Sequence, residues 1–374
     1  MSNGSKHLVL LGGLAEILVS FRGPLIAELV GRGWRVTAAA NGEAPEVAKS
    51  LQQLGAAYVP LGIKRAGLNP FEDISTLGAI YRLMRDLRPE VFVGYTMKPV
   101  IYGTIAAWLA GVPTRVAMLE GLGYAFARGA GFRRLLARNA ATGMLRFALP
   151  KATRVIVLNK DDERSLRDRR FLRKAQSLVR ISGIGVDLDR FRPAPMPGPP
   201  MRFLMICRLL GDKGVYEYVQ AARMVKASHP EAKFVLIGPL DPNPSGVKSA
   251  ELAAWVAEGV IDYLGEIKDV RPHIVDSHVL VLPSYTEGFP VTPMEAFATG
   301  RPAIVSDAPG CREVVTVGKS GWMAPPRDPE ALHDAMIEAM NAPLADFGAA
   351  ALVEARERFS SVEQNRKLAN AILD

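Results

Sequence analysis

Cysteine is almost missing from this sequence. Two occur in 374 residues, Cys207 and Cys311, and they form no Cys-x-x-Cys pair. A disulfide framework or a cysteine-based zinc site is thereby excluded. Both thiols read as small residues at buried or nearly buried strand ends, in a reducing compartment. Histidine is scarce as well: His7, His229, His273, His278 and His333 never fall at metal-ligand spacing and read as structural. No apolar run reaches the ~18 residues that a membrane-spanning helix needs. The first residues lead into the apolar run His7-Leu-Val-Leu-Leu11 without a charged region, a long apolar core or a small-residue cleavage site. The expectation is a cytoplasmic protein that does not span a membrane. Neither Gly-x-Gly-x-x-Gly nor a Walker sequence occurs, so redox-dinucleotide and ATP-hydrolysing readings lose support.

What is present suits a folded chain with room for two cores. Hydrophobic residues make up 49% and charged residues 22%, the balance of a globular protein. The net charge of +8 is concentrated: Arg128 to Arg180 holds fifteen Lys or Arg against four Asp or Glu. Such a segment fits a polyanionic partner (nucleic acid, an anionic membrane surface or a phosphate-bearing substrate) or a solvated helical face. Within it Phe132, Leu136, Ala140, Met144 and Phe147 follow helical spacing, with Arg133, Arg134 and Arg138 largely off that stripe. This amphipathic pattern fits either a bilayer surface or a core-facing helix.

Short apolar runs at Leu8–Leu11, Arg35–Ala39, Ala57–Val59, Val91–Val93 and Arg115–Met118 alternate with helical stretches. A second series begins with Phe203–Cys207 and continues through Lys233–Ile237, Asp262–Leu264, His278–Leu282 and Pro302–Val305. Strand–helix alternation with short turns predicts doubly wound parallel sheets. Between the series, Phe191 to Pro200 carries five prolines and reads as a linker. The expected organisation is an α/β chain of two Rossmann-like domains, 1–192 and 193–357, with a closing helix over 358–374 that can cross back to the first domain. Ligands of such sheets bind beyond the strand carboxyl ends, so an interdomain cleft is the expected site.

Three segments offer chemistry. The strand before Pro283 runs into Tyr285-Thr-Glu-Gly-Phe-Pro290 and a helix expected near Pro293. Amides of Gly288, Phe289, Pro290 and Val291 at that helix start suit an anion, and Glu287 and Glu295 suit sugar hydroxyls; one surface acid and one helix-start acid is the plain alternative. Cys207-Arg-Leu-Leu-Gly-Asp-Lys-Gly214 also follows a strand, placing Arg208 and Lys213 where a diphosphate would sit. Gly12 and Gly13 close the first strand and allow a close approach by phosphate or sugar, or a tight turn. Asp187-Leu-Asp189 has the form of a metal-binding triplet but stands just before the linker, and no metal site is assigned to it.

Glu287 and Glu295, seven residues between them, followed by Ala-Phe-Ala-Thr-Gly-Arg-Pro302, resemble the signature of the family-4 retaining glycosyltransferases of the GT-B fold. Arg208 and Lys213, Gly185-Val-Asp187 with Phe191 and Pro193, Ala308-Pro-Gly-Cys-Arg-Glu313 and Gly321-Trp-Met-Ala-Pro325 extend the likeness over nearly the whole chain. Tyr95-Thr-Met-Lys-Pro-Val-Ile-Tyr-Gly103, Glu120-Gly-Leu-Gly-Tyr124 and Asp241-Pro-Asn-Pro-Ser-Gly246 look like bacterial members that build capsule, O-antigen or N-glycan-type oligosaccharides on polyprenyl diphosphate.

The resemblance implies roles. Glu295 would bind the nucleotide ribose, Glu287 the donor sugar hydroxyls, and Gly288 to Val291 the sugar and phosphates. Arg208 and Lys213 would neutralise the departing diphosphate in place of a metal, and Ile267 lies near the base. Where many members carry a histidine after the fifth strand, this chain has Glu120, which would position the acceptor or take its proton. The implied reaction is metal-independent, retaining transfer of a hexose or N-acetylhexosamine from a nucleotide donor, UDP-linked, to a polyprenyl-diphosphate-linked saccharide. No cofactor is implied. The implied setting is the cytoplasmic face of the inner membrane, held through Arg128 to Arg180. The alternatives are a sugar-nucleotide epimerase of the same fold and a basic nucleic-acid-binding protein; the latter lacks aromatics interleaved on a basic sheet.

Overall fold

The computed structural model describes residues 6–62, 70–122 and 132–374, and only the backbone of 70, 71 and 132–138. Tyr124 and Arg128 therefore lie outside the described residues. Two contact units result: Met1–Ile184 with Val362–Asp374, and Gly185–Ser361.

The first unit is built on β1 (His7–Leu11), β2 (Arg35–Asn41), β3 (Ala57–Leu61), β4 (Val91–Tyr95), β5 (Thr114–Leu119), β6 (Arg154–Val157) and β7 (Ser177–Arg180). All pairings are parallel, in the order β3-β2-β1-β4-β5-β6-β7. The central strands β1 and β4 are buried along their whole length. Helices cover both faces of such a sheet, so its strands read as continuous apolar runs. Leaving β1, the chain builds β2 and β3 on one side and then β4 to β7 on the other. The order reverses between β1 and β4, and doubly wound sheets bind ligands beyond the strand carboxyl ends at that point.

The second unit repeats the plan with β8 (Arg202–Ile206), β9 (Lys233–Ile237), β10 (Asp262–Tyr263), β11 (Val279–Leu282), β12 (Ala303–Ser306) and β13 (Gly321–Ala324). The order is β10-β9-β8-β11-β12-β13, again all parallel, with the reversal between β8 and β11.

Three strands escape the sequence reading: β6, β7 and β13. Arg154-Val-Ile-Val157 and Ser177-Leu-Val-Arg180 are four-residue runs inside the basic stretch, and charge at their ends masks the pattern. That stretch is thus helix, strand, helix and strand in turn, and part of its charge is structural. The Arg154 guanidinium donates to the Ala371 carbonyl at 2.7 Å, and Arg180 pairs with Glu163 at 3.0 Å. The helix over the amphipathic pattern is present, Phe132–Ala148, and Met144 of the expected stripe packs on the core, but the other described positions of the stripe do not face inward. Leu145 and Ala148 are buried, whereas Ala140 is exposed and Phe147 is 56% exposed. Residues 145 and 148 share one face three positions apart, and that phase puts Phe147 outside, under the Lys151 ammonium 3.4 Å from its ring centre.

The division between the units precedes the proline-rich segment instead of falling at 192/193. Val186 ties the preceding residues to the second unit: its amide donates to the Phe359 carbonyl at 2.7 Å and its carbonyl accepts the Ser361 amide at 2.9 Å. Further on, Arg301 has a fully buried side chain. Its guanidinium donates to the carbonyls of Ala194 and Pro195 at 2.9 and 2.6 Å, and to those of Ser277, Thr299 and Val275 at 2.6–2.8 Å. These bonds strap residues 194–195 to the second unit. At the other end, the helix Ser361–Leu373 puts Leu368, Ala369 and Ile372 into the core of the first unit with Leu8, Val36 and Ile156.

Candidate active site

In the second unit, the loops beyond β8 and β11 meet at the reversal point. After β8 the backbone turns through Gly211–Lys213 and reaches Gly214 at φ 77°. A side chain on Gly214 would place its Cβ 2.3 Å from the Pro283 carbonyl oxygen. Only glycine accepts both the left-handed conformation and that approach. The Tyr285 amide donates to the Asp212 carbonyl at 2.9 Å, so the two loops are stitched together. Their side chains then meet: Lys213 Nζ lies 2.5 Å from Glu287 Oε1, with side chains 21% and 16% exposed.

A third loop supports the second. The Glu287 amide donates to the Pro309 carbonyl at 2.9 Å, and a Cβ on Gly310, at φ +79°, would fall 2.2 Å from the Glu287 carbonyl oxygen. Ala308-Pro-Gly-Cys-Arg312 is thus the cradle of the Glu287 loop. Tyr285 is fastened from the other side: its hydroxyl donates to Glu217 Oε1 at 2.5 Å, and Arg327 lies 4.5 Å over its ring.

Arg208 is more open, 52% exposed, and donates to Asp241 Oδ2 at 2.9 Å. Asp241 begins a loop tied to the same turn: its Oδ1 accepts the Asn243 amide at 2.9 Å, and the Gly211 amide donates to the Ser245 carbonyl at 2.8 Å. The Asp241–Gly246 segment therefore serves to hold Arg208 and its turn.

The helix after the Glu287 loop is Val291–Ala298, two residues earlier than expected. Glu295 accordingly sits in its second turn. Pro290 has no amide hydrogen, so of the four positions named from sequence only Gly288, Phe289 and Val291 carry donors. Phe289 turns its ring inward, 5.8 Å from that of Phe359, and contributes backbone alone. The Glu295 carboxyl is pushed up to about 7 by burial, against the opposing pull of Arg190. Ile267 is half-buried beyond β10, where the Gly238 amide donates to the Gly265 carbonyl at 2.8 Å. Burial pushes the thiols of Cys207 and Cys311 up to about 12, so neither is a nucleophile near neutral pH. Cys311 lies in the supporting turn and not at a strand end. Asp187 makes a local turn, its Oδ1 accepting the amides of Asp189 and Arg190 at 2.9 and 3.1 Å.

In the first unit, Gly12, Gly13 and Glu120 stand beyond the carboxyl ends of β1 and β5. Gly12 has an internal reason to lack a side chain: a Cβ there would lie 2.1 Å from the Tyr95 hydroxyl oxygen. Glu120 forms an ion pair with Arg22, a residue that sequence reasoning missed. Burial brings the Arg22 guanidinium down to about 10. A single cation before an apolar helix carries no periodic signal, and only the packing reveals it. Beyond β4, Lys98 Nζ pairs with Asp73 Oδ1 at 2.9 Å. A π-helical turn, Pro99–Gly103, follows, a form frequent at functional sites.

Two Rossmann-like parallel-sheet domains with these residues at their reversal points define a glycosyltransferase of the GT-B class. Solved structures share the fold. A sucrose-phosphate synthase from Thermosynechococcus elongatus aligns with TM-score 0.78 at 19% identity over 98% of each chain. Anabaena HepE, solved in complex with UDP and glucose, aligns with TM-score 0.76 at 16% identity, also over 98% of each chain. Residues 22–182 match the glycosyl transferase 4-like domain family, and residues 200–342 the glycosyl transferases group 1 family.

Among curated relatives, the N,N'-diacetylbacillosaminyl-diphospho-undecaprenol alpha-1,3-N-acetylgalactosaminyltransferase of Campylobacter jejuni is 30% identical over 302 residues, 77% of this chain and 78% of that one. The UDP-Gal:alpha-D-GlcNAc-diphosphoundecaprenol alpha-1,3-galactosyltransferase of Escherichia coli is 26% identical over 295 residues, 75% and 73% of the two chains. The chain belongs to the group 1 and 4-like glycosyl transferase family.

Proposed function

We propose that this glycosyltransferase moves a hexose or N-acetylhexosamine from a UDP-linked donor to a polyprenyl-diphosphate-linked saccharide in bacterial glycan assembly. The observation that carries the reading is the Lys213–Glu287 pair at the reversal point of the second sheet, with Arg208 on the same turn. The two relatives named above act on diphospho-undecaprenol-linked sugars, which supports the acceptor class.

Lys213 exchanges its carboxylate partner for the donor diphosphate, and Glu287 is released to bind sugar hydroxyls. As the bond from C1 to the diphosphate oxygen breaks, Lys213 and Arg208 meet the growing negative charge. Preorganised cations stabilise such a leaving group without a metal. The amides of Gly288, Phe289 and Val291 approach the sugar and phosphates, Glu295 the ribose, and Ile267 the base. Beyond β1 the space at Gly12 is taken by the Tyr95 ring, which leaves Gly13 for a close approach by ligand, and Glu120 faces the acceptor. Both relatives form alpha linkages, and UDP-hexoses carry the sugar in the α configuration, so retention is the matching stereochemistry. An amphiphilic acceptor also gives the cations between Arg128 and Arg180 that are not engaged internally a partner: lipid phosphates at the cytoplasmic face of the inner membrane. Among the described residues no helix is long and apolar enough to cross a membrane.

The test begins with thermal stabilisation by a panel of nucleotide sugars. A ligand at 100 times its Kd adds about 2.7 kcal/mol. The best donor is then incubated with a lipid-linked saccharide, with and without excess chelator. Transfer with retained configuration and unchanged rate in chelator is expected. Strict dependence on added magnesium or manganese would refute the metal-free mechanism, and conversion of the donor without any acceptor would point to an epimerase.

A further inference from the structure

Arg22 stands in the turn before the helix Gly23–Gly31, and its side chain is 1% exposed. The guanidinium lies 4.9 Å over the Tyr95 ring, and its Nη2 meets Glu120 Oε1. Its Nε and Nη1, and the Tyr95 hydroxyl, are buried without hydrogen-bond partners among the described residues. A buried cation is costly unless paired, and an apolar residue of similar volume would fill the same space at less cost. The arrangement is also built from several elements. Gly12 beyond β1 makes room for the Tyr95 ring, the ring seats the guanidinium, and the guanidinium holds Glu120 beyond β5. Glu120 alone in this stack is partly open to solvent, at 26%. The stack occupies the reversal point of the first sheet, where ligands of such sheets bind.

We propose that Arg22 is a positioning residue for glycosyl transfer: it holds the Glu120 carboxylate oriented to accept a hydrogen bond from the attacking hydroxyl of the saccharide acceptor. This rests on the glycosyltransferase reading above and extends it to the acceptor side. In the step itself the bond from C1 to the diphosphate oxygen breaks and the bond from C1 to the acceptor oxygen forms. The hydroxyl proton leaves with the diphosphate, and Glu120 remains a carboxylate that fixes the direction of the hydroxyl. Other ionisable groups around the pair are Tyr95 of β4, with Tyr58 of β3 beyond it, and Asp162 of the helix Lys160–Asp168. Asp162 accepts the Leu122 amide at 3.2 Å and is engaged there.

Four variants test this: Arg22→Met, Arg22→Lys, Glu120→Gln and the Arg22→Met/Glu120→Gln double. Each is checked for folding by circular dichroism and for thermal stabilisation by UDP. The enzyme is then assayed for kcat and for the KM of each substrate. Stabilisation by UDP at the wild-type level is expected in all four, because the donor residues lie in the other unit. Arg22→Met and Glu120→Gln should each lower kcat about 100-fold, the scale of a misplaced reacting group, with the donor KM within about twofold. The double variant should lose no more than the worse single, since coupled residues are not additive. Arg22→Lys should recover part of the rate.

Unchanged kcat in folded Arg22→Met, or additive losses in the double, would overturn the proposal. If Arg22→Met does not fold, the decision passes to Glu120→Gln and Arg22→Lys, and wild-type kcat in Glu120→Gln overturns it equally. Wild-type protein that neither binds UDP-sugars nor transfers sugar would instead refute the reaction proposed above, which separates the two failures.

Discussion

Lys213 Nζ lies 2.5 Å from Glu287 Oε1 across 74 residues of sequence. The pair exists because two loops at one sheet reversal point are stitched by the Tyr285 amide on the Asp212 carbonyl. Lys213→Ala should lower kcat/KM by about 100- to 1000-fold, the effect of removing one preorganised charge from a leaving group. Its stability cost should be only about 1 kcal/mol, because both side chains retain solvent contact. Transfer assays with urea titrations of Lys213→Ala, Glu287→Gln and the double variant check this. Wild-type turnover in Lys213→Ala would leave the pair a structural clasp.

Glu295 should give the protein a recognisable pH dependence. Its carboxyl is raised from 4.5 to about 7 by burial, so the native state binds a proton that the unfolded chain has already released. The associated stability is complete below pH 4.5 and lost as pH rises through 7. A shift of this size corresponds to about 3 kcal/mol. Glu295→Gln should flatten that window, matching wild type at pH 4 and exceeding it at pH 8, while weakening nucleotide binding. Chemical denaturation across pH 4–8 measures the first effect and UDP titration the second.

Gly310→Ala tests the cradle of the Glu287 loop. The residue sits at φ +79°, and its Cβ would lie 2.2 Å from the Glu287 carbonyl oxygen, a backbone atom that cannot rotate away. The strained conformation and the displaced turn together should cost about 2–4 kcal/mol. Glu287 should move with the turn, so stabilisation by UDP-sugars should fall along with the melting temperature. Undiminished stabilisation would show that Glu287 does not depend on the 308–311 turn.

Arg301→Leu removes the strap on the proline-rich segment and the guanidinium bonds to five carbonyl oxygens, of which that of Thr299 keeps the Ala194 amide at 3.3 Å. Urea titration should show a loss of about 3–5 kcal/mol. Arg301→Lys should recover little, since an ammonium is a point charge and cannot span the planar fork of contacts.

The parallel sheets were legible wherever a buried strand formed an uninterrupted apolar run, as in Val279-Leu-Val-Leu282. Arg154–Val157 and Ser177–Arg180 were not, because neighbouring charges obscure a four-residue strand. The proline count in 191–200 correctly excluded helix and central strand, but it read as a free linker. Nothing local announces that a guanidinium more than 100 residues later holds two of its carbonyls.

The proposed donor side of the site was similarly half visible. Glu287, Glu295, Arg208 and Lys213 were placed by their positions after strands, since strand ends and helix starts are local features of the chain. Their partners were not: Asp241 against Arg208, the Gly310 turn beneath Glu287, and Arg22 against Glu120 depend on loops brought together by strand order. The amino-acid sequence by itself determined two parallel α/β sheets and the loops that carry the polar residues, because burial and turn chemistry act over a few residues. Which cation meets which carboxylate, and which glycine leaves space for a neighbouring chain, was decided by tertiary structure alone, because those contacts join segments tens of residues apart through the packing of the sheets.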